Sequence, residues 1–371
     1  MALTKQICTH CVLDSSEPTI TFDEKGICRF CNDYLEISKQ EKHQYTFEEK
    51  EKHLKEYVDQ IKKDGEGKEY DCIIGLSGGV DSSYVAFIAK QQGLRPLAVH
   101  LDNGWDAELA VKNIENICNK LNIDLHTHVI NWEEFKDLQL SFLKASVANA
   151  EAPTDHAIFA VLYHLARKYK LKWIIDGVNH ATEYVRSDGE GGGYAYSDLK
   201  QIKGIHKKFG KIPLKTYPSM SYYQKLFYKH IVKINQFSIL NYVEYNKESA
   251  LKLLSEQLGW RSYGAKHHES LFTKWHQVVH LIQKFGYDKR KAHLSDLILS
   301  SQMRREDALI ELASPPLPIR EQLELEEYVK KKLGLSPNEY QEILNNTPKS
   351  YREYPNNEWI IKTYAKFKSR E

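Results

Sequence analysis

Two groups of residues in this sequence have the types and the spacing to do chemistry. The first is Cys8-x-x-Cys11 and Cys28-x-x-Cys31, two knuckles separated by 16 residues. Zn2+ prefers four thiolates at tetrahedral corners, and each x-x spacing lets one tight turn present two sulfurs to one ion. With all four positions filled by protein, such a zinc is structural and closed to substrate. The second group is Ser77-Gly78-Gly79-Val80-Asp81-Ser82-Ser83, which ends the apolar run at 71–76. Backbone N–H groups of a Gly-Gly turn that leads into a helix make an anion nest, and Ser82 and Ser83 add hydroxyl donors. The stretch lacks the Gly-Lys-Ser/Thr ending of the Walker loop and the three glycines of the dinucleotide fingerprint. Asp81 is the informative residue. A carboxylate beside a phosphate nest repels the ligand unless a cation sits between them, which implies Mg2+. As an ordinary helix cap Asp81 is worth about 1 kcal/mol, and both roles can hold together.

The elements that must position these groups follow from periodicity. Between the knuckles, VLDSSEPTITFDEKGI alternates in polarity and turns at Asp23-Glu24-Lys25-Gly26, which suits a small ribbon hairpin. Phe47, Leu54, Val58 and Ile61 form the narrow apolar stripe of a charged connector helix. From residue 70, strand-like runs at 70–76, 95–101, 124–130 and 172–176 alternate with helix-like runs at 81–92, 106–121, 132–147 and 154–169. That alternation predicts an α/β fold, a parallel sheet with helices on both faces that binds its ligand at the carboxyl ends of the strands. EGGGYAYSD at 190–198 reads as a loop after the fourth strand. Past about 200 the pattern is mostly helical, broken by Pro315-Pro316-Leu317-Pro318 before a charged helix near 320–333. The expected organisation is therefore a four-cysteine module at 1–36, a helical connector at 37–69, a ligand-binding α/β domain at 70–200 and a mostly helical region at 201–371.

Composition narrows the class. The 371 residues carry 52 Lys+Arg against 50 Asp+Glu, a formal net charge of +2, which gives no broad nucleic-acid or membrane footprint. There is no secretory h-region in MALTKQICTHC and no run near the roughly 20 apolar residues that span a bilayer. A cytoplasmic protein is expected, with no membrane insertion and no nucleic-acid partner. The cysteine spacing likewise fits metal binding in a reducing compartment. Cys72 in a core strand and Cys118 on an apolar helix face read as inert packing residues.

The Ser77–Ser83 stretch resembles the pyrophosphate loop (PP-loop) of the ATP pyrophosphatase superfamily, which cleaves ATP between the α- and β-phosphates and forms adenylated intermediates. The resemblance implies that Ser77 to Ser83 grip the β,γ-pyrophosphate. It implies that His100-Leu101-Asp102-Asn103-Gly104 borders adenine and ribose, and that Asp176-Gly177-x-Asn179 is a second nucleotide and metal segment. With the cysteine knuckles, "AVHLDNGWDAELAVKNIENI", "GVNHATE", "GAKHHESLFTKWHQ" and "DKRKAHLSDLI" the chain resembles the N-acetyl sugar amidotransferases of bacterial surface-glycan or flagellar-sugar synthesis, from about Cys8 to about Leu312. The stretch 186–195 does not align with the family pattern, and Ser301 stands where the family has glycine.

That resemblance implies ATP, Mg2+ and Zn2+ as cofactors and an N-acetyl sugar as substrate. The acetamido oxygen attacks the α-phosphate, pyrophosphate leaves, and ammonia then expels AMP to give an acetamidino group. Lys266 is the candidate for charge aimed at the phosphates, against the reading of an ordinary surface lysine. His267, His268 or Glu269 is the candidate proton acceptor, although a histidine pair is as readily structural. Glu183 would complete the Mg2+ site, or be a solvent-facing loop acid. Asp155 and His156, behind the helix cap Thr154, would lie near the binding edge and touch substrate. No cysteine suits a glutaminase nucleophile, since four belong to the zinc, Cys72 and Cys118 are packed, and the chain starts Met-Ala-Leu. Ammonia is therefore expected from a separate glutaminase protein, and the resemblance implies partner subunits similar to the glutaminase and cyclase of histidine biosynthesis. Two rival readings remain. One is a tRNA-thiolating enzyme, which would need a reactive cysteine near the nucleotide. The other is a zinc-stapled, non-catalytic nucleotide-binding scaffold, against which the intact loop with Asp81, Asp176 and Lys266 argues.

Overall fold

The computed structural model describes residues 5–40, 44–185, 196, 198–264 and 268–368. In the cysteine module, Phe22 bridges antiparallel to Cys28 and Gly26 closes the turn with φ +75° and its N–H on the Asp23 carbonyl. Helix α1 (Arg29–Ser38) leaves the second knuckle. Helix α2 (Phe47–Asp64) starts with a Thr46–Glu49 capping box and buries Leu54, Val58 and Ile61, while Phe47 stays exposed.

The sheet then forms from β1 (Cys72–Gly75), β2 (Pro96–Asp102), β3 (Leu125–Val129) and β4 (Trp173–Asp176). Between them run α3 (Val80–Gln91), α4 (Glu108–Leu121), α5 (Trp132–Ala145) and α6 (Ala152–Lys168). Every pairing is parallel. Adjacent β1 side chains serve opposite faces. Ile73 packs with Val99, Ile174, Phe135 and Phe142 on the α5–α6 side. Ile74 packs with Ala98, Ile175, Ile114 and Leu254 on the other side. This two-sided burial explains why the strands read as apolar runs rather than as alternation.

Helices α7 (Leu199–Phe209) and α8 (Tyr222–His230) follow, and then a fifth strand, β5 (Asn235–Ser238), pairs parallel with β4 in the order β3-β2-β1-β4-β5. The sequence reading missed this strand and expected helix there. Its residues Asn-Gln-Phe-Ser bury only Phe237 in the core, so an edge position leaves little apolar signal. The strand order changes direction between β1 and β4, and the crevice at such a switch point is where open α/β sheets bind ligands.

The rest is helical: α9 (Lys247–Leu258), α10 (Leu271–Trp275), a π-helical turn at His276–His280, α11 (Leu281–Phe285), α12 (Arg290–Leu299), α13 (Arg305–Ala313), α14 (Ile319–Leu333), α15 (Pro337–Asn345) and α16 (Glu358–Lys368). Val329 and Leu333 of α14 and Tyr340 and Ile343 of α15 join the α5–α6 core. Ser301 after α12 has φ +59°, a left-handed position that glycine fills without a Cβ penalty. Two buried carboxylates of α5 tie down the segment before α8. Glu134 accepts the N–H groups of Lys215, Thr216 and Tyr217, and Asp137 accepts those of Lys211 and Ile212 plus the His206 ring.

Candidate active site

The turn after β1 is built around Gly78. Its φ is +81°, and a Cβ there would lie 2.5 Å from the Ala110 carbonyl oxygen of α4, so no other residue fits. The Trp260 indole donates to the Gly78 carbonyl at 2.9 Å. Inside the turn, the Ser77 N–H donates to Ser82 Oγ at 3.3 Å and the Gly79 N–H to Ser77 Oγ at 3.2 Å. Gly79, extended and without a side-chain cap bond, is the N-cap of α3. Asp81 is therefore not the cap; it stands in the first helical turn, where its charge complements the helix dipole. Ser83 is fully buried behind the turn.

The β4 turn abuts this one, since a Cβ on Gly177 would lie 3.3 Å from Asp81 Cβ. Asp176 accepts from Ser238 Oγ at 2.8 Å and from the Val178 N–H at 3.2 Å. Burial raises its pKa, and the nearby Glu183 adds to the rise. Asp81 and Glu183 both act on the buried Tyr245 hydroxyl, which donates to Asp81, so the three acids share one neighbourhood. Their oxygens do not form a ready-made cage, because among the described residues only the four cysteines bring three or more such ligand atoms within 4.8 Å. Mg2+ is normally held by one or two carboxylates plus substrate phosphates, so the residues fit a cation that arrives with a nucleotide. Asn179 is turned into its own loop: its side chain donates to the Gly177 carbonyl and accepts from the Thr182 N–H at 2.8 Å.

At the end of β2, His100 is buried between two acceptors, the Leu76 carbonyl and Asp106, each at 3.0 Å. Burial works against its charge, but the Asp106 partner outweighs it and the pKa is raised. His100 thus links the ends of β1 and β2 as an ion pair. Asp102 accepts the Gly104 N–H and the buried Asn103 accepts the Trp105 N–H, which shape the same loop. Lys332 of α14 donates to the Gly104 carbonyl and lies over the rings of Trp105 and Trp132.

A strap from the C-terminal half crosses the glycine turn. The Asp106–Ser270 bridge and the bonds from the Ala107 N–H to the Glu269 carbonyl and from the Leu271 N–H to the Trp105 carbonyl fix it to the β2 loop. Ser77 Oγ donates to Glu269 Oε1 at 3.4 Å, and a Cβ on Gly79 would lie 3.1 Å from that oxygen and 3.3 Å from the Tyr263 hydroxyl. Tyr263 bonds to Glu269, and its own pKa is raised by burial first and that carboxylate second. His268 is buried beside them. Lys266 and His267 lie outside the described residues, as does the 186–195 stretch.

His156 does not present a free ring to a substrate. Nδ1 lies 2.6 Å from the Tyr196 carbonyl, to which it donates, and Nε2 accepts the Met220 N–H at 3.1 Å, so the ring is neutral and braces two segments. Burial pushes its pKa down from 6.5 to about 4. The unfolded chain therefore binds the extra proton first, and stability present above pH 6.5 is lost as pH falls toward 4, by about 3 kcal/mol for this residue. In thermal unfolding across that window, His156→Gln is expected to lose stability less steeply than wild type; equal slopes would contradict the assignment. Asp155, half-buried beside it, acts on Tyr217.

The cysteine module meets this site from one side. All four thiols are fully buried, with Sγ–Sγ separations of 3.8 Å for Cys8–Cys31, 3.7 Å for Cys11–Cys28 and 3.5 Å for Cys28–Cys31. Zn–S bonds of about 2.3 Å at tetrahedral angles put sulfurs about 3.8 Å apart, so the set fits zinc. N–H groups of Cys11 and Cys28 point at Cys8 Sγ, and that of Leu13 at Cys11 Sγ. Arg305 binds the Cys8 and Cys11 carbonyls, and Tyr34 stacks on His180 at 4.4 Å, next to Asn179.

Sequence reasoning did not find Ser238, Tyr245, Trp260 or Tyr263. Tyr245 is 164 residues from Asp81 and Trp260 is 182 from Gly78; no local spacing links such partners.

Residues 71–180 match the family described as "Queuosine biosynthesis protein QueC", and residues 269–368 match "LPS biosynthesis protein WbpG-like, C-terminal domain". The two matches together support an N-acetyl sugar amidotransferase-like PP-loop family with distant relatives. Among curated proteins, the chain is 34% identical over 159 residues to "Probable mitochondrial tRNA-specific 2-thiouridylase 1" of Caenorhabditis elegans, covering 38% of this chain and 40% of that protein. It is 26% identical over 119 residues to "tRNA-specific 2-thiouridylase MnmA 2" of Fusobacterium nucleatum, covering 30% and 34%. The chain thus spans between a third and two-fifths of the length of these relatives. Among solved structures, it is similar to an NH3-dependent NAD synthetase from Campylobacter jejuni, at 17% identity over 70% of this chain and 98% of that one, with a TM-score of 0.30.

Proposed function

We propose that this chain, which belongs to an N-acetyl sugar amidotransferase-like PP-loop family, adenylates an acetamido group of an N-acetyl sugar and exchanges its oxygen for ammonia. One observation carries the reading. Glu269, where the WbpG-like match begins, takes a hydrogen bond from Ser77 inside the QueC-like match, so the two matched segments build one site.

Amide oxygen does not leave as oxide, so the chemistry needs an activated oxygen. The acetamido oxygen bonds to the α-phosphorus of ATP and the bond to pyrophosphate breaks. Ammonia then adds to the carbon, a proton is lost, and AMP departs with the oxygen. The glycine turn and the N-terminus of α3 bind the departing pyrophosphate. Asp81, Asp176 and Glu183 would hold Mg2+, which supplies charge neutralisation at the phosphates. His268 and Glu269 are the described candidates to take the proton from ammonia, with Lys266 and His267 of the same motif as charge donor and alternative base.

Ammonia would come from a separate glutaminase with a cyclase-like channelling subunit. Cys72 is fully buried and its thiol is pushed up by burial; Cys118 is pushed up to about 11 by burial and Asp124. Both shifts are opposite to those of an activated nucleophile. The same fact weighs against a tRNA-thiolating reading, which the printed names of the curated relatives favour. The purified chain given ATP, Mg2+, an ammonium salt and nucleotide-linked N-acetyl sugars is expected to replace one oxygen by an NH group, detected by mass, and to do nothing with glutamine alone. Glutamine-dependent turnover by the isolated chain, or sulfur transfer to tRNA, would refute the proposal. None of the described helices is long and apolar enough to cross a membrane, and a cytoplasmic location with soluble substrates is part of the proposal.

A further inference from the structure

We infer that the segment from Ser238 to Tyr245, which follows the edge strand β5, is the brace that orients the carboxylates of the nucleotide site, with Tyr245 as the positioning residue of Asp81. The inference rests on the ATP-cleaving reading. Three side chains of this short segment reach the two catalytic turns. Ser238 Oγ donates to Asp176 at 2.8 Å. Asn241 accepts the His180 N–H at 2.8 Å and donates to the Val178 carbonyl at 3.3 Å, which holds the backbone on both sides of Asn179. The Tyr245 hydroxyl donates to Asp81 Oδ1.

Tyr245 is itself fixed. Its ring is 9% exposed, packs 5.6 Å from Tyr84 of α3, and its carbonyl takes a bond from Gln302, whose other amide atom accepts the Lys247 N–H. A phenol facing a carboxylate can only donate to it, so the Tyr245 hydroxyl fixes one Asp81 oxygen. A hydrogen bond to one carboxylate oxygen sets the orientation of the whole group, and an outer partner of this kind is what fixes a ligand that must meet a cation. The edge strand thereby has a function beyond extending the sheet. Its last residue, Ser238, and Tyr245 in the segment after it are the donors to Asp176 and Asp81, on either side of the switch point between β1 and β4.

Calorimetric titration of Mg2+ into the protein with a non-hydrolysable ATP analogue reads this directly. Tyr245→Phe is expected to raise the half-saturating Mg2+ concentration about tenfold or more, with melting temperature and zinc content near wild type. Adding Tyr245→Phe to Asp81→Asn is expected to change nothing further, since the phenol acts through that carboxylate. Ser238→Ala, acting through Asp176, is expected to shift the same midpoint and decides the matter if Tyr245→Phe does not fold. A folded Tyr245→Phe or Ser238→Ala protein with a midpoint within about twofold of wild type would overturn the brace. Wild-type protein without Mg2+-dependent analogue binding would overturn the ATP reading first and the brace with it.

Discussion

Asp81→Ala is expected to slow AMP formation by roughly 30- to 900-fold, about 2–4 kcal/mol of transition-state stabilisation, as for other deleted preorganised charges. Gly79 is the N-cap of α3, so Asp81 adds to helix stability through the dipole, about 0.3–1 kcal/mol, and its removal also takes the acceptor from the buried Tyr245 hydroxyl, about 1–3 kcal/mol. The rate is therefore expected to fall well beyond any fall in the folded fraction. Steady-state rates measured beside thermal unfolding test this. A rate that falls only as far as the folded fraction falls would mean that Asp81 is structural. Excess Mg2+ is not expected to restore the alanine variant, because the oxygen proposed to meet the metal is gone.

Loss of the metal is the second large effect expected. Structural zinc in small cysteine modules contributes about 10–16 kcal/mol of apparent binding energy, and the module at 5–40 has few other means of cohesion. Its buried cluster is the four cysteines with Leu13, Phe30 and Tyr34, completed by Val185, Ala292 and Leu299 from outside. Metal analysis is expected to give one zinc per chain, and Cys28→Ser to lose it, with residues 5–40 becoming protease-sensitive. The consequence extends to the nucleotide site. Tyr34 stacks on His180, Ser38 Oγ lies 3.2 Å from His180 Nε2, and the Val185 N–H is held by Asp296. The segment 180–185 carries Glu183, so the zinc-free variant is expected to bind an ATP analogue more weakly without losing it. A chain that contains no zinc under reducing conditions, and melts as a Cys28→Ser variant does, would contradict this.

What the sequence makes legible here follows sequence distance. The β1–turn–α3 unit is local: an apolar run, two glycines and a helix that follow one another directly, and the observed bounds of β1 to β4 lie within two residues of the expected ones at every end. The knuckles are legible for the same reason, since x-x spacing alone sets their turns. β5 was not, because its fit to the sheet comes from pairing with β4 rather than from its own composition. Tyr245, Ser238 and Tyr263 were hidden by distance along the chain. Asn179 and His156 illustrate the converse. Their residue type and position fit ligand contact, yet the fold engages their polar atoms with backbone groups and, for Asn179, the Thr182 hydroxyl. Asp81 as a helix cap was a reasonable local inference, but the cap lies two residues earlier because Gly79 is already extended.

The most direct measurement is the nucleotide product formed by the wild-type chain with ATP, Mg2+, an ammonium salt and a pool of nucleotide-linked N-acetyl sugars. The proposed reaction, in which the nest holds the β- and γ-phosphates and the sugar oxygen attacks the α-phosphorus, predicts AMP and pyrophosphate in equal amounts, dependent on both the metal and the sugar. Release of ADP and orthophosphate would place the attack on the γ-phosphorus and contradict the proposed reaction.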